Sequence, residues 1–188
     1  FCRMRKLLFI SIYFLTLLIL NPNTLMSQNM IYNFDNYSDL KRWVIVNDDV
    51  MGGISSSNLI IESDGNGVFE GRISTAYNGG FASLRFNCNK TYIRQNTHFK
   101  IKIKGDGKDY QFRIKSNRDD YYSYIISFKT SGEWETIAIP IKEMYASFRG
   151  RKLNMKNFNS DYFEQITFLF GNKKDENFKL LIDNIILD

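Results

Sequence analysis

The chain is poor in the residues that most metal and catalytic sites use. Its 188 residues include two cysteines and one histidine. A chain cleaved near Ser27 keeps only Cys88, so it can form no internal disulfide. With His98 alone, a transition-metal site or a Ser-His-Asp arrangement is hard to assemble. A P-loop, a G-x-G-x-x-G turn and a G-x-S-x-G elbow are missing too, and we predict no enzyme, no metal site and no cofactor.

The first 27 residues have the layout of an export signal. Three basic residues precede an uncharged run, Leu7–Leu20, and the small Ser27 follows. Such a run is short for a membrane-spanning helix, which needs about 20 apolar residues. We expect residues 1–27 to be a signal peptide or, as the alternative, an uncleaved N-terminal anchor. The protein would then be exported, to the periplasm or outside the cell, and would touch a membrane only through that segment.

Residues 28–188 carry a small net charge. They hold 22 basic and 20 acidic residues, because the first 27 residues contribute three basic groups and no acid. A net charge of +2 does not favour a nucleic-acid partner. The length fits a single domain, and the sixteen Phe and eleven Tyr of the chain can supply a core without a disulfide.

Period-two alternation of apolar and polar residues dominates this domain and predicts half-buried strands. The predicted strands are Met30–Phe34, Leu40–Val46, Asn58–Glu62, Gly67–Ser74, Phe81–Phe86, 98–105, 110–115, 121–128, Glu135–Ile139, Gln165–Phe170 and Phe178–Ile186. Short helices are predicted after Pro140 and around residues 160–165. The whole is typical of an all-β sandwich or jelly roll with one or two short helices.

Two groups of strand residues suggest surfaces. Lys100, Lys102, Lys104, Arg113 and Lys115 would form one basic patch if their strands are neighbours. That patch could attract an acidic partner or an anionic lipid surface, or it could be a solvated face that prevents edge-to-edge aggregation.

The tyrosines of the next predicted strand have two readings. Tyr122 and Tyr124 share one face, opposite Tyr121. Their rings could stack on a sugar, and core filling explains them equally well.

The stretch "NDDVMGGISSSN" at residues 47–58 combines two acids with a glycine turn. Asp48 and Asp49 could be calcium ligands, although the alternating acids and distal Glu of an EF-hand are missing. The favoured interpretation is that Asp48 accepts hydrogen bonds from backbone amides of the turn and braces the Gly52-Gly53 reversal.

Two glycine-pair motifs together resemble a known family. The pattern W-x3-N-D-x-x-M-G-G-x-S is followed by F-x-G-x-I-S and N-G-G-F-A-S-x-R. The matching residues are Trp43, Asn47, Asp48, Met51, Gly52, Gly53 and Ser55, then Phe69, Gly71, Ile73 and Ser74, then Asn78, Gly79, Gly80, Phe81, Ala82, Ser83 and Arg85. This combination resembles the complex I intermediate-associated protein 30 family, from about Ile31 to the end of the chain.

The resemblance implies a galactose-binding-like β-sandwich akin to carbohydrate-binding modules. Eukaryotic members help to assemble the membrane arm of respiratory complex I in mitochondria, as binding chaperones without catalysis. It also makes Arg85 and Arg149 candidates to border the 47–58 loop, where an Arg facing Asp48 would form a structural ion pair. The export signal sets this chain apart from those relatives.

The resulting hypothesis is a non-enzymatic binding domain or assembly factor that engages a protein partner, such as a membrane complex, in the cell envelope. The alternative is a carbohydrate-binding module that binds a glycan. The candidate binding residues are Asp48, Asp49, Met51, Ser55, Arg85, Arg113, Tyr122, Tyr124 and Arg149.

Overall fold

The computed structural model describes residues 29–93 and 96–188, and the predicted signal at 1–27 lies outside them. The strands are β1 Asn29–Asn33, β2 Trp43–Asn47, β3 Ser56–Ile61, β4 Gly67–Ile73, β5 Ala82–Tyr92, β6 His98–Lys104, β7 Asp109–Lys115, β8 Ser123–Lys129, β9 Trp134–Pro140, β10 Tyr145–Phe148, β11 Arg151–Lys152, β12 Tyr162–Phe170 and β13 Glu176–Leu187. Every pairing is antiparallel. The predicted all-β sandwich is confirmed.

The strands form two sheets. The six-stranded sheet has the order β3-β4-β13-β6-β9, and β1 also pairs with β13. The seven-stranded sheet has the order β11-β10-β8-β7-β12-β5-β2. The long strand β13 is central because β4 pairs with its first part, β1 with its last part and β6 with most of its other edge.

The core lies between the sheets and follows the predicted alternation. In β6, the side chains of Phe99, Ile101 and Ile103 are fully buried. From the other sheet, Phe112 packs on Phe99 with ring centroids 5.1 Å apart. Burial of large apolar side chains stabilises the fold by about 1.5–3 kcal/mol each, so this aromatic core can hold the sandwich together.

The predicted helices are largely wrong. Within the two described ranges the chain forms short 3-10 turns and no α-helix. Only Ile141–Glu143 turns after Pro140, and the chain then enters β10, whose backbone pairs with β8. The second segment begins β12 at Tyr162 instead. Sheet edges supplied backbone partners that local helix signals could not reveal. In the part of the chain described, no helix is long and apolar enough to cross a membrane.

The predicted basic row is split between the two sheets. Strand β6, which carries the three lysines, belongs to the six-stranded sheet, whereas β7 belongs to the seven-stranded one. Lys100 pairs with Asp188, Lys102 with Asp183 and Lys104 with Glu133, at 2.5, 2.7 and 3.7 Å. The single-patch prediction is therefore wrong, because alternation gives the face of a strand and says nothing about its neighbours.

Candidate functional site: a basic groove on the seven-stranded sheet

The first glycine motif surrounds a buried carboxylate. Asp48 is fully buried in a 3-10 turn at the end of β2. Its Oδ1 accepts a hydrogen bond from the Ser55 amide at 3.1 Å, and its Oδ2 accepts one from the Ser55 hydroxyl at 2.5 Å. The same Oδ2 accepts from the backbone amides of Gly80 at 2.5 Å and Phe81 at 3.4 Å. One carboxylate therefore joins the two glycine motifs.

The glycines of both pairs make room for this carboxylate. A Cβ atom on Gly53, or one on Gly79, would overlap the Asp48 carboxyl group. Gly52 and Gly80 instead have φ of +83° and +121°, values that disfavour side chains. Each pair thus combines one glycine needed for space with one needed for backbone conformation.

These hydrogen bonds determine the ionisation of Asp48. Burial by itself raises the pKa of this carboxyl, but the hydrogen bonds from Ser55, Gly80 and Phe81 lower it more. The net pKa lies below the ordinary value of 3.8, so Asp48 is a satisfied anion at neutral pH.

The second motif continues from this anchor into the surface of the seven-stranded sheet. Strand β5 starts directly after Phe81, and alternation buries Ala82 and Leu84 fully in the core. Ser83 and Arg85 therefore face the opposite side, where they line a groove across the seven-stranded sheet. The Asp48 anchor thus positions one end of the groove.

The groove has a volume of about 540 Å³, which is within the range of small-molecule sites. Within the described part of the chain, its lining contains five basic side chains and no acidic one. The basic residues are Arg85, Arg113, Lys115, Arg149 and Lys173.

Strand register places two arginines on either side of one small residue. Thr167 of β12 lies opposite Arg85 of β5 and opposite Arg113 of β7. Because neighbouring strands are about 4.8 Å apart, the Cα atoms of the two arginines are separated by about 10 Å. The next row along β12 places Leu169 between Ser83 and Gln111. The arginines therefore flank a shallow floor.

Among the described residues, neither arginine has an acidic partner. Arg113 donates from Nε and Nη2 to the Gln111 amide oxygen at 3.1 and 2.5 Å, which leaves three of its five donors for the groove. Within residues 29–93 and 96–188, the side chain of Arg85 forms no hydrogen bond or ion pair. Two half-buried guanidinium groups thus lie together with unused donors.

The surroundings of Arg85, Arg113 and Lys115 disfavour the protonated, positively charged form of each side chain. Burial lowers the pKa of Arg85. Burial, and then the nearby Arg85, lower the pKa of Arg113 to about 10. Burial and Arg85 also lower the pKa of Lys115, whose ammonium donates to the backbone oxygen of Asp120. All three remain cationic at neutral pH, so the groove stays positively charged.

The rim combines exposed rings with unusual backbone conformations. The rings of Tyr121 and Phe148 meet edge to face, with centroids 5.2 Å apart and an interplanar angle of 82°. The Cζ atom of Arg149 lies 5.3 Å from the centroid of the Phe148 ring. Arg149 and Lys173 both have left-handed φ, 47° and 58°. Such residues cost about 1–3 kcal/mol and are enriched at functional sites.

Comparison with known proteins assigns the fold and motifs to a family. Residues 32–182 match the model of the complex I intermediate-associated protein 30 family. The chain belongs to this family. It is 27% identical over 182 residues to the probable complex I intermediate-associated protein 30, mitochondrial, of Caenorhabditis briggsae, and 22% identical over 180 residues to the Mus musculus protein. These alignments cover 82% and 83% of this chain but 52% and 55% of the relatives, so the chain spans about half their length.

Solved structures show the same fold. A family 11 carbohydrate-binding module from Clostridium thermocellum, in complex with a β-1,3-1,4-mixed-linked tetrasaccharide, superposes with a TM-score of 0.63 at 19% identity, covering 85% of this chain and 94% of the module. A family 29 carbohydrate-binding module gives 0.50 at 13% identity, covering 86% and 87%. At such identities the likeness concerns architecture alone.

One sequence prediction is corrected by these relatives. They are mitochondrial by name, and the prediction that this chain is exported, to the periplasm or outside the cell, is wrong. The prediction rested on basic residues followed by an apolar run. Hydrophobicity of that kind does not by itself specify the membrane system that a leader addresses.

The structure divides the candidate residues of this family member into separate places. Arg85, Arg113 and Arg149 come together in the groove. Asp48 and Ser55 lie buried in the anchor, and the expected Arg–Asp48 ion pair is wrong because backbone amides and Ser55 fill that role.

Asp49, Tyr122 and Tyr124 are not among the described residues that line the groove. Asp49 is exposed beside the anchor, and the side chain of Met51 lies outside the described part. Tyr122 is half-buried against the core, and Tyr124 is buried at 7% exposure. Core filling therefore explains Tyr124, because its face of β8 turns towards the other sheet.

Several groove residues were not predicted from the sequence. Gln111, Gln165, Thr167 and Lys173 line it. Strand β12 carried a usable signal, because Gln165, Thr167 and Leu169 alternate with buried Ile166, Phe168 and Phe170. Lys173 carried none, since a left-handed lysine in a turn has no sequence signature.

Cys88 and His98 are the two residues that the sequence analysis considered for catalysis. Burial raises the pKa of the Cys88 thiol to about 12, so it stays protonated. The ring of His98 hydrogen-bonds the neighbouring Thr97 hydroxyl at 2.7 Å. Among the described residues, no three His, Cys, Asp or Glu side chains could jointly hold a metal ion.

Proposed function

We propose that the chain is a non-enzymatic binding domain that acts as an assembly factor and holds a protein partner in the basic groove. The observation that carries this proposal is the pair Arg85 and Arg113, half-buried at the groove floor without an anion. A fold that buries cations without partners loses stability by doing so, and a ligand that supplies the missing partners recovers that loss.

The family assignment supports binding over catalysis. The curated relatives are named as intermediate-associated proteins of complex I, a name that describes association. The protonated thiol of Cys88 is unsuited to nucleophilic attack. The groove itself offers guanidinium, amide and hydroxyl groups, which bind and orient a ligand.

Site-specific photo-crosslinking in membranes from the native organism tests this function. The crosslinker p-benzoylphenylalanine replaces Tyr121, which is 66% exposed at the groove rim. A matched control places it at Trp134, 39% exposed on the six-stranded sheet. We expect one specific protein to be captured from position 121, to be lost in the Arg85→Gln/Arg113→Gln background, and to be absent from position 134.

The identity of the captured protein sharpens the result. Recovery of a respiratory complex I subunit supports the assembly role. Equal capture from positions 121 and 134, or capture unaffected by the arginine substitutions, would place the partner elsewhere and contradict the proposal.

A second candidate function is carbohydrate binding. It is favoured by the exposed rings of Tyr121 and Phe148 at the groove rim, since aromatic side chains can stack on sugars, and by the fold shared with carbohydrate-binding modules. Affinity electrophoresis through gels that contain β-1,3-1,4-mixed-linked glucan tests it. Retardation that Tyr121→Ala abolishes supports this function, whereas wild-type migration equal to that of an inert protein rejects that glucan as the ligand.

A further inference from the structure

The arginine pair also constrains the chemistry of the bound group, on the premise that the groove is the binding site. Arg85 presents its whole guanidinium group, and Arg113 presents the donors that Gln111 leaves unused. Both flank Thr167, whose hydroxyl forms no hydrogen bond within the described ranges. Planar guanidinium groups match the two oxygens of a carboxylate.

The basic side chains of the groove differ from the lysines of β6 in their acidic partners. On the six-stranded sheet, Lys100, Lys102 and Lys104 already have acidic partners. Among the described residues, the lining of the groove has no acid. An anionic ligand is therefore attracted more strongly to the groove than to the lysine face of β6.

The floor also differs from the usual phosphate site. Phosphates are commonly held by successive backbone amides at a helix N-terminus or in a glycine-rich nest. Here the donors are strand side chains, Arg85, Arg113 and Thr167, standing on neighbouring strands. Neutral amides of Gln111 and Gln165 line the same floor and can hydrogen-bond peptide groups.

The rim adds an apolar contact. Tyr121 and Phe148 stand edge to face and form an apolar corner. Such a corner suits a compact aliphatic side chain. The groove volume of about 540 Å³ accommodates a few amino-acid residues and not a folded domain.

We infer that the groove recognises an acidic peptide segment of the partner: a Glu or Asp carboxylate binds between Arg85 and Arg113, and a neighbouring aliphatic side chain packs in the Tyr121–Phe148 corner. Burial of the two guanidinium groups makes this contact more favourable than a surface ion pair, because less water screens it.

The test follows the Nε–Hε signals of arginine side chains in NMR spectra of the full chain. The first probe is the blocked tripeptide Glu-Leu-Glu, and its isosteric control is Gln-Leu-Gln. We expect Glu-Leu-Glu to shift the signals of Arg85 and Arg113, and Gln-Leu-Gln to bind about tenfold more weakly or worse, since hydrogen bonds to charged groups are worth about 1.5–3 kcal/mol. Added salt should weaken the first and not the second.

Variants and competing anions complete the design. Arg85→Gln and Arg113→Gln should each weaken Glu-Leu-Glu binding by about tenfold or more. Arg72→Gln makes the same charge change at an exposed position of β4 on the other sheet and should leave binding unchanged. Inorganic phosphate and glucuronate serve as the alternative anions, and each should bind more weakly than Glu-Leu-Glu.

Three outcomes would overturn the inference: equal binding of Gln-Leu-Gln, tighter binding of phosphate or glucuronate, or no probe that moves the Arg85 signal. The proposed function is judged separately by crosslinking from Tyr121. A partner captured there while Gln-Leu-Gln binds as well as Glu-Leu-Glu leaves the binding function standing and removes only the carboxylate. If Glu-Leu-Glu binds but no protein is captured, the carboxylate recognition stands and the proposed protein-binding function is contradicted.

Discussion

The N-G-G-F-A-S-x-R motif contacts a buried anion at its start and carries a half-buried cation at its end, and the two charges have different surroundings. At its start, the fully buried Asp48 carboxylate receives hydrogen bonds from Ser55, Gly80 and Phe81. At its end, Arg85 is half-buried and has no partner in the part of the chain described. The anion is satisfied by hydrogen bonds within the fold, whereas the side chain of the cation has no hydrogen bond or ion pair among the described residues.

This contrast separates a structural charge from a proposed recognition charge. Sequence motifs mark both kinds equally, because each depends on specific side chains at fixed spacing. Hydrogen bonding tells them apart: a satisfied buried group stabilises the free protein, and an unsatisfied one destabilises it. The stability of suitable variants should therefore fall for the first kind and hold or rise for the second.

The largest expected effect comes from Asp48→Asn. An amide replaces one acceptor oxygen by a donor, so the Ser55 amide or the Gly80 amide is left unsatisfied. We expect the free energy of unfolding to fall by about 3 kcal/mol, measured by urea denaturation. Asp109→Asn, at an exposed position of β7, is the control and should change it by less than about 0.5 kcal/mol. A loss below 1 kcal/mol at Asp48 would mean that the carboxylate does not hold the motifs together.

The two glycines of the first pair should differ in their dependence on Asp48. Gly53→Ala overlaps the carboxylate, and we expect a loss of about 2 kcal/mol in the free energy of unfolding. Gly52→Ala has open space but a φ of +83°, with an expected loss of about 1 kcal/mol. In an Asp48→Ala background the Gly53 effect should shrink and the Gly52 effect should persist. Equal effects in both backgrounds would refute the steric explanation.

Acid should remove part of the Asp48 contribution. Because its pKa is lowered in the folded state from 3.8, Asp48 stabilises the protein above that value, and the stabilisation is lost as the pH falls through the folded pKa. The stability difference between wild type and Asp48→Asn should be full at neutral pH and smaller at about pH 3, measured by urea denaturation. A difference that stays constant over this range would show that protonation of Asp48 does not affect folding.

The smallest effects test the recognition charges. Arg85→Gln and Arg113→Gln should leave the melting temperature unchanged or raise the stability by up to about 1 kcal/mol, because they relieve burial and mutual repulsion. Lys102→Gln makes the same change in net charge but removes the ion pair with Asp183, so it should lower the stability by up to about 1 kcal/mol. A loss of stability in Arg85→Gln that exceeds the loss in Lys102→Gln would indicate that the Arg85 guanidinium has a structural partner.

The sequence predicted the strands well because each strand carries its own evidence. Alternation along β6 and β7 identified the buried faces of Phe99 and Phe112 correctly. It could not reveal that these strands belong to different sheets, since pairing depends on contacts between distant segments. The predicted basic row therefore combined three lysines of the six-stranded sheet, which have acidic partners, with two basic residues of the seven-stranded sheet.

The candidate site was partly predictable for the same reason. Arg85 and Arg149 were candidates through the family resemblance, and both line the groove. Their common surface depends on Thr167, which lies more than 80 positions after Arg85 and becomes its neighbour only through strand register. The edge pairing of β10 with β8 likewise turned a predicted helix into a strand and placed Ser147 in the groove.

The central position of β13 has a consequence for the order of folding. This strand joins β4, β6 and β1, so the six-stranded sheet stays divided until residues 176–187 have emerged from the ribosome. Until then the strands synthesised earlier have unpaired edges, and pairing between segments distant in sequence is slow. Nascent chains halted before β13 should thus be protease-sensitive and prone to aggregate, and a chaperone that shields strand edges would act in that interval.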